Sequence, residues 1–213
     1  MGATCTKNGL FGNQGEEFGR SILRRTGYFV LPGWNQSRGA PLLRSLAQNI
    51  IAPDIIAAIN KCTVLVDVKA KRHPTKYNKK RQLETGCGLR HYKAYIAAGE
   101  NTGLRVALLF LHAFAADGIT ADPCAWFGYL DEIGVYAREF TGEDAIKHFG
   151  EDMIFFCCDP NKDTNKFKLM NEGIDALDDA EWLKFQAVSQ PPKIIRPWEK
   201  RRKKDFPGQG RLF

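Results

Sequence analysis

The sequence predicts an α/β protein built around a mixed β-sheet, and three observations support this class. Amphipathic stretches typical of helices, such as residues 16–27, alternate with short apolar runs typical of strands. Two of these runs are joined by Asn60 and Lys61, which indicates an antiparallel hairpin. A third run, residues 104–112, is almost wholly apolar, as expected of a central strand covered on both faces.

The first half of the chain predicts the element order α, β, β, β, α, β. In order, the elements are a helix at residues 16–27 closed by Gly27, a strand at 28–31 ending at Pro32, hairpin strands at 52–59 and 62–69, a basic loop at 69–81, a helix at about 89–99 and the central strand at 104–112.

The second half is expected to complete one domain over residues 1–158. Strands are predicted at 125–130 and 153–158, with a helix at 143–149 between them. A linker with a short helix at 182–188 should follow over 159–192, and residues 193–213 form a basic C-terminal extension rich in proline.

Charge and length restrict the function classes. The 213 residues suit one sizeable domain, and the tail at 193–213 supplies +6 of the net charge of +7, which favours a polyanionic partner. The longest apolar run, 106–116, is interrupted by His112 and is too short to cross a bilayer, so we expect no membrane partner and a cytoplasmic protein. The six cysteines form no CxxC pair, which argues against a zinc site.

The second hairpin strand ends in charged residues, whereas a buried strand usually contains apolar residues throughout. Asp67 and Lys69 share a face with Leu65, and charges so close to an apolar sheet are costly unless they are paired or bind a metal. The hairpin would bring Asp54 close to Asp67. Because two adjacent carboxylates repel each other, a divalent cation is the expected resolution, and Lys69 could orient a water or stabilise charge on a phosphate.

A third acid is expected from the first helix. At about 100° per residue, Glu16 falls on the edge of the buried side, whereas Glu17 falls on the outer face. Glu16 is therefore preferred, with Glu17 as the alternative.

In order and in type, Glu16, Pro53-Asp54 and Asp67-Val68-Lys69 resemble the PD-(D/E)xK nuclease superfamily, and their spacing is similar to that of archaeal Holliday junction resolvases and related phage and restriction nucleases. The resemblance implies a restriction-endonuclease-like α-β-β-β-α-β core with a mixed sheet. It also implies Mg²⁺ or Mn²⁺ held by the three acids and a main-chain carbonyl, here that of Val68. The implied activity is hydrolysis of DNA phosphodiester bonds.

In this family the helix after the motif often adds a Gln, Tyr or basic residue to the site. The resemblance therefore implies a contribution from Tyr92 and Tyr95, with His91 in reserve. Enzymes that cut branched DNA usually act as symmetric dimers, so a homodimer is a further expectation.

Two basic segments are candidate DNA contacts because cations can bind the phosphate backbone without reading sequence. The loop at 69–81 contains no acidic residue, and the tail contains a dense cationic run. The predicted nucleic-acid-binding residues are Lys71, Arg72, Lys76, Lys79, Lys80, Arg81, Arg201, Arg202, Lys203 and Lys204.

The last five residues resemble the Gln-x-x-Leu-Phe peptides that dock into bacterial sliding clamps. Gln209 would be the polar contact, and Leu212 and Phe213 the apolar anchors. Gly210 departs from the common form of the peptide. A sliding clamp is therefore an expected partner alongside packing of the same residues on the protein's own surface.

Other interpretations remain open. Asp67 and Lys69 could form a structural ion pair while Glu16 only stabilises a helix N-terminus. A nuclease fold without catalysis could serve as a DNA-binding or scaffold protein. An interaction module of a replication or recombination complex could act through the tail.

Overall fold

The computed structural model describes residues 7–31, 53–77, 80–116, 123–170, 174 and 184–186. Its elements, in order, are α1 (Lys7–Arg25), β1 (Phe29–Val30), β2 (Ile55–Ile59), β3 (Cys62–Lys71), β4 (Thr75–Tyr77), β5 (Gln82–Gly88), α2 (Leu89–Thr102), β6 (Arg105–His112), β7 (Cys124–Tyr129), α3 (Leu130–Ile133) with a 3₁₀ turn (Gly134–Tyr136), β8 (Arg138–Phe140), α4 (Glu143–Phe149), β9 (Met153–Cys157) and β10 (Lys168–Leu169).

Two sheets form the framework. The larger has the strand order β1-β2-β3-β6-β7-β10, and the smaller has the order β4-β5-β9-β8. Strands β3 and β6 pair in parallel, whereas the other pairs are antiparallel. The larger sheet is therefore mixed, which confirms the predicted α/β class.

The predicted hairpin is present, and its turn has the expected chemistry. Asn60 and Lys61 have φ values of 50° and 66°, the left-handed conformation that a two-residue turn requires. The pairing runs from Ile59 opposite Cys62 to Ile55 opposite Val66. The turn therefore sets the register that aligns the start of β2 with the end of β3.

Strand β3 separates two apolar cores. Val64, Val66 and Val68 pack with α1, whereas Leu65 packs in the core that includes Tyr95 of α2. The larger sheet is thus covered by α1 on one face and by α2 and the smaller sheet on the other. Strand β6 is buried between β3 and β7, which confirms its predicted central position.

The helix predicted at residues 16–27 extends further toward the N-terminus than expected, because α1 begins at Lys7 and ends at Arg25. The first half of α1 contains several glycines, which disfavour a helix locally. Each glycine costs a helix only about 1 kcal/mol, which tertiary packing offsets. Gly27, with φ of 90°, follows the helix as predicted.

The basic segment 69–81 was wrongly predicted to be a loop. Strand β3 continues to Lys71, and β4 pairs with β5 in an antiparallel hairpin, with Lys76 opposite Leu83. Strand β4 lacks an apolar pattern because it lies at the edge of its sheet, where charged side chains can project into solvent. The sequence therefore shows no sign of a strand here. The predicted α-β-β-β-α-β order therefore holds with an extra hairpin before α2.

Strands β7 and β9 and helices α2 and α4 lie where they were predicted, while α3, β8 and β10 were not predicted. The segment 159–192 was expected to be a linker, but β10 pairs with β7, and Phe167, Met170 and Phe185 are buried. Single apolar residues in a polar stretch have no periodicity to reveal such packing. Residues 184–186 are helical, within the helix predicted at 182–188.

The basic tail at 193–213 lies outside the described residues, and so do the predicted clamp-binding residues within it. Among the described helices, none combines the length and apolar character that a membrane crossing requires.

Candidate active site

The β2–β3 hairpin brings two buried carboxylates together. Asp54 directly precedes β2 and Asp67 lies near the end of β3, and the register of the hairpin places them at the same level. The Val68 main-chain N–H donates a hydrogen bond of 2.8 Å to Asp54 Oδ2. Asp54 is 6% exposed and Asp67 is 2% exposed. The two acids therefore lie close together, as predicted.

Lys69 is held between Asp67 and α2. Its Nζ lies 2.6 Å from Asp67 Oδ2 and donates a hydrogen bond of 2.8 Å to the Tyr95 hydroxyl. Burial alone would lower the pKa of Lys69, but the negative charge of Asp67 raises it above its ordinary value. The lysine is therefore a fixed cation at the end of the strand.

Asp67 retains unused hydrogen-bonding capacity. Its Oδ2 is buried and has no hydrogen-bond partner among the described residues, so its contact with Lys69 is an ion pair rather than an aligned hydrogen bond. An orphaned buried carboxylate oxygen is costly. This oxygen is the feature of the site that most clearly calls for an additional ligand.

Of the two helix acids, Glu16 faces the aspartates. It is half-buried, and burial, together with the charge of Asp67, raises the pKa of its carboxyl although Arg20 opposes this. Glu17 is 79% exposed and lies 3.6 Å from Arg20 Nε. Glu16 is therefore the acid that α1 brings to the site.

Two glycines allow α1 to lie close enough to β3 for this arrangement. A Cβ on Gly15 would lie 2.6 Å from Ala70 Cβ, and one on Gly19 would lie 2.8 Å from Val68 Cγ2. Larger residues at these positions would push the helix away from the strand. Sequence reasoning missed this role, although the spacing of four residues placed both glycines on one helix face.

Arg20 is a further residue that the sequence did not reveal. It is buried on α1, and its Nη2 donates a hydrogen bond of 2.9 Å to the main-chain oxygen of Asp54. The guanidinium thus ties the first helix to the segment that carries the first aspartate. A single arginine on a helix gives no sequence pattern from which this contact could be predicted.

The carboxylates disfavour one another's charge. Burial, followed by the charges of Asp67 and Glu16, raises the pKa of Asp54 to about 8, against the opposing effect of the Val68 hydrogen bond. A group of buried acids with this property is stabilised by a cation.

These residues can supply some, but not all, of the ligands of a divalent metal. Within the part of the chain that the structure describes, no three His, Cys, Asp or Glu side chains form a group able to hold a metal ion on their own. Mg²⁺ usually takes one or two protein carboxylates and keeps several waters. Asp54 and the orphaned Asp67 oxygen meet that requirement, with Glu16 and the Val68 carbonyl as neighbouring oxygen donors.

The two tyrosines proposed on α2 have different positions. Tyr95 is fully buried, and its hydroxyl contacts Lys69 and lies 3.5 Å from His91 Nδ1. The ring of Tyr92 instead packs on Phe156, with a centroid distance of 5.8 Å, and its hydroxyl lies against Gly134. The structure therefore brings Tyr95 and His91 to the site but not Tyr92.

The predicted basic residues that the structure describes lie at the end of β3 and on the β4–β5 hairpin that follows it. Lys71 continues β3 beyond Lys69, and burial, with the nearby Lys69 charge, lowers its pKa. The Arg72 guanidinium lies 5.6 Å from the centre of the Phe114 ring. Lys76, Lys80 and Arg81 are exposed on the β4–β5 hairpin, whereas Lys79, Arg201, Arg202, Lys203 and Lys204 lie outside the described residues.

A buried ion pair holds the basic hairpin in place. Arg138 Nη2 lies 2.6 Å from Glu84 Oε2, and Gln82 Nε2 donates a hydrogen bond of 2.8 Å to the other oxygen of Glu84. The Arg138 guanidinium also lies 4.2 Å from the centre of the Tyr77 ring. These contacts attach the β4–β5 hairpin to β8 and so restrict the movement of the strands that carry the basic residues.

A separate cavity of 580 Å³ lies between α2 and α3. Its walls are mainly apolar and include Ile96, Leu130 and Val135, and Tyr95 is the candidate-site residue that lines it. None of the three acids contributes to the described lining. The cavity therefore lacks the charged groups from which the candidate site is built.

The sequence matches no family model and no curated protein. Among solved structures, the chain is similar to that of Hjc, a Holliday junction resolvase from the archaeal hyperthermophile Archaeoglobus fulgidus, with 9% identity and a TM-score of 0.39 over 84% of this chain and 100% of that one. A similarity of this size does not establish the activity.

Proposed function

We propose that this protein is a metal-dependent nuclease that hydrolyses DNA phosphodiester bonds. The observation that carries the proposal is the orphaned oxygen of Asp67, which lies beside a second buried carboxylate and a fixed lysine cation. A structural ion pair needs no second acid with a raised pKa. The two carboxylates could bind a metal cation, and the lysine could bind an anionic substrate.

Asp54 and Asp67 would hold Mg²⁺ or Mn²⁺, with Glu16 and the carbonyl of Val68 as further oxygen donors. A divalent ion bound there would polarise a phosphoryl oxygen and lower the pKa of a bound water. Arg20 supports this set by fixing the main chain at Asp54. The closeness of α1, which Gly15 permits, keeps Glu16 within electrostatic reach of both aspartates.

Lys69 supplies a positive charge that the protein orients before substrate binds. Its contacts with Asp67 and Tyr95 restrict the ammonium to one position, where it can stabilise negative charge developing on the phosphate or orient the attacking water. Because Lys69 remains protonated, we assign it electrostatic stabilisation rather than proton abstraction.

The β4–β5 hairpin would contact the DNA backbone. Lys76, Lys80 and Arg81 project from a strand pair that continues directly from β3, and the Arg138–Glu84 pair supports it. Cations in this arrangement bind phosphates without reading sequence. We propose Lys79 and the basic tail at 193–213 as further contacts with the DNA backbone.

The finer assignment follows from the sequence resemblance. We propose structure-specific cutting of branched DNA in recombination, repair or phage replication, by a homodimer because both strands of a junction must be cut. Docking of Gln209, Leu212 and Phe213 into a sliding clamp would bring the enzyme to DNA. Deleting the last five residues should then remove clamp affinity.

The direct test is cleavage of labelled linear duplex, single-stranded and four-way-junction DNA with Mg²⁺, with Mn²⁺ or with EDTA. We expect cleavage that requires a divalent metal and favours the junction. Cleavage that is equal on all substrates would retain the nuclease and refute the structure preference.

A second candidate function is a nuclease fold that binds DNA without cutting it. The observation that favours it is that the described residues contain no complete group of three metal-ligating side chains. This alternative predicts salt-sensitive DNA binding and no cleavage in any divalent metal.

A further inference from the structure

A chain of polar groups runs from Lys69 in the candidate active site to His91 in the first turn of α2. Lys69 donates to the Tyr95 hydroxyl at 2.8 Å, and that hydroxyl lies 3.5 Å from His91 Nδ1. The two rings meet edge to face, with a centroid distance of 6.3 Å and an interplanar angle of 75°. Tyr95 is fully buried, whereas His91 is half-buried.

We propose that His91 is a positioning residue that controls whether the Tyr95 hydroxyl donates its proton to Asp67 or leaves that carboxylate to bind a cation. This inference rests on the proposed nuclease function and names a control of the same site. His91 is assigned no contact with the substrate.

The inference follows from the hydrogen-bonding capacity of the Tyr95 hydroxyl, which has one proton and two lone pairs. The Lys69 ammonium can only donate, so it occupies one lone pair. Burial, followed by the charge of Asp67 and the hydrogen bond to it, raises the pKa of the hydroxyl, which therefore keeps its proton. That proton has two possible acceptors, His91 Nδ1 and the Asp67 carboxylate.

The protonation of His91 decides between these acceptors. A neutral imidazole with a lone pair on Nδ1 offers the Tyr95 proton an acceptor other than Asp67, so the carboxylate is then left with its ion pair to Lys69. A charged imidazole carries N–H on both nitrogens and can only donate to Tyr95. The hydroxyl proton must then turn toward Asp67, where it competes with a cation for the carboxylate.

The surroundings of His91 favour the neutral form near neutral pH. Burial, followed by the positive charges of Lys69 on β3 and Arg90 on α2, lowers its pKa, and Glu151 and Asp67 oppose them. The charged groups facing His91 thus come from β3, from α2 and from the segment before β9. The neutral imidazole, which can accept the Tyr95 proton, is therefore the favoured form near neutral pH.

Variants of His91 separate positioning from simple packing. His91→Gln offers an oxygen acceptor that does not titrate, and His91→Lys offers only donors at every pH below its own titration. In cleavage assays with saturating Mg²⁺ between pH 5 and pH 8, we expect His91→Gln to lose much of the decrease in rate that the wild type shows at acidic pH. His91→Lys should be slower by about tenfold throughout.

Two control variants complete the assay. His148→Gln, on exposed α4, should reproduce the wild-type pH profile. Tyr95→Phe removes the connecting hydroxyl and should make the rate independent of the residue at position 91. Identical pH profiles for wild type and His91→Gln would overturn the inference.

A measurement on metal-free protein tests the coupling without any cleavage. The NMR signal of the Asp67 carboxyl carbon should show a step at the pH where His91 titrates, and the step should be absent in His91→Gln and in Tyr95→Phe. An Asp67 signal that does not change at the pH where His91 titrates would refute the coupling. Absence of cleavage by the wild type would refute the proposed nuclease and leave this NMR result to decide the inference.

Discussion

The side chain of Asp54 accepts a hydrogen bond of 2.8 Å from the main-chain N–H of Val68. This bond ties the acid before β2 to the strand that carries Asp67 and Lys69, so the two carboxylates cannot separate to relieve their repulsion. The site therefore stores an unfavourable interaction that a cation or a neutralising substitution would remove.

Substitution of Asp54 should separate stability from function. Asp54→Asn keeps an acceptor for the Val68 N–H and removes one of the adjacent buried acids, whose pKa burial raises to about 8. We expect the variant to equal or exceed the wild type in urea-unfolding stability in EDTA and to lose cleavage. Asp54→Ala leaves the N–H without its acceptor and should be less stable than Asp54→Asn by about 1–3 kcal/mol. Equal stability of the two variants would contradict this account of the bond.

The approach of α1 to β3 can be tested with a matched pair of glycine substitutions. A Cβ at Gly15 would lie 2.6 Å from Ala70 Cβ, whereas nothing lies within 4 Å of a Cβ at Gly12. We expect Gly15→Ala to destabilise the protein by about 1–3 kcal/mol and to reduce cleavage by displacing Glu16. Gly12→Ala should be neutral or stabilising by about 0.5–1 kcal/mol. Urea-unfolding curves that rank the two variants in the opposite order would show that α1 is not held as described.

Stability should depend on pH through His112. This residue is fully buried, its Nε2 lies 3.0 Å from Thr85 Oγ1, and burial, with the nearby charges of Lys71 and His73, lowers its pKa to about 3. The unfolded chain takes up a proton below its ordinary pKa of 6.5, while the folded chain does not until about pH 3. Stability from this group is therefore complete above pH 6.5 and is lost as the pH falls toward 3, by up to about 1.4 kcal/mol per pH unit.

Urea unfolding at a series of pH values checks this dependence. His112→Gln should flatten it, whereas the same substitution at exposed His148 should leave it unchanged. A wild-type slope that survives in His112→Gln would assign the acid sensitivity to other groups.

The basic hairpin should contribute to the salt dependence of DNA binding. Replacing Lys76, Lys80 and Arg81 together with glutamine should weaken binding to duplex DNA and reduce the slope of log affinity against log salt concentration by about 2–3, because fewer counterions are released. The same replacement at Lys162, Lys166 and Lys168, which lie at or before the outer strand β10, should change the slope little. Similar slopes for the two triple variants would remove the hairpin from the DNA surface.

The Asp54–Asp67–Lys69 arrangement could be predicted because its determinants are local. A two-residue turn and strict alternation along β3 decide which side chains share a face, and both are visible in the sequence. The phase of one helix was also sufficient to prefer Glu16 over Glu17. These features do not depend on which distant elements pack together.

The remaining features depend on packing between distant elements. Arg20 reaches Asp54 across 34 residues of chain, and the role of Gly15 exists only because β3 lies against it. Tyr92 and Tyr95 differ in their contacts because the rotation of α2 points Tyr95 to Lys69 and Tyr92 to Phe156. Strand β4 was missed because its pairing with β5, rather than its own composition, stabilises it.

The most direct test of the central claim compares wild type, Asp67→Asn and Asp163→Asn in cleavage of four-way-junction and linear DNA with Mg²⁺, and confirms by circular dichroism that all three are folded. Asp67→Asn removes the charge of the orphaned oxygen, whereas Asp163 is an exposed residue outside the site. We predict that the wild type and Asp163→Asn cleave DNA in a metal-dependent manner and that Asp67→Asn loses at least about a hundredfold in rate. A folded Asp67→Asn protein with wild-type activity, or a wild type that binds DNA without cutting it in any divalent metal, would contradict the proposed active site.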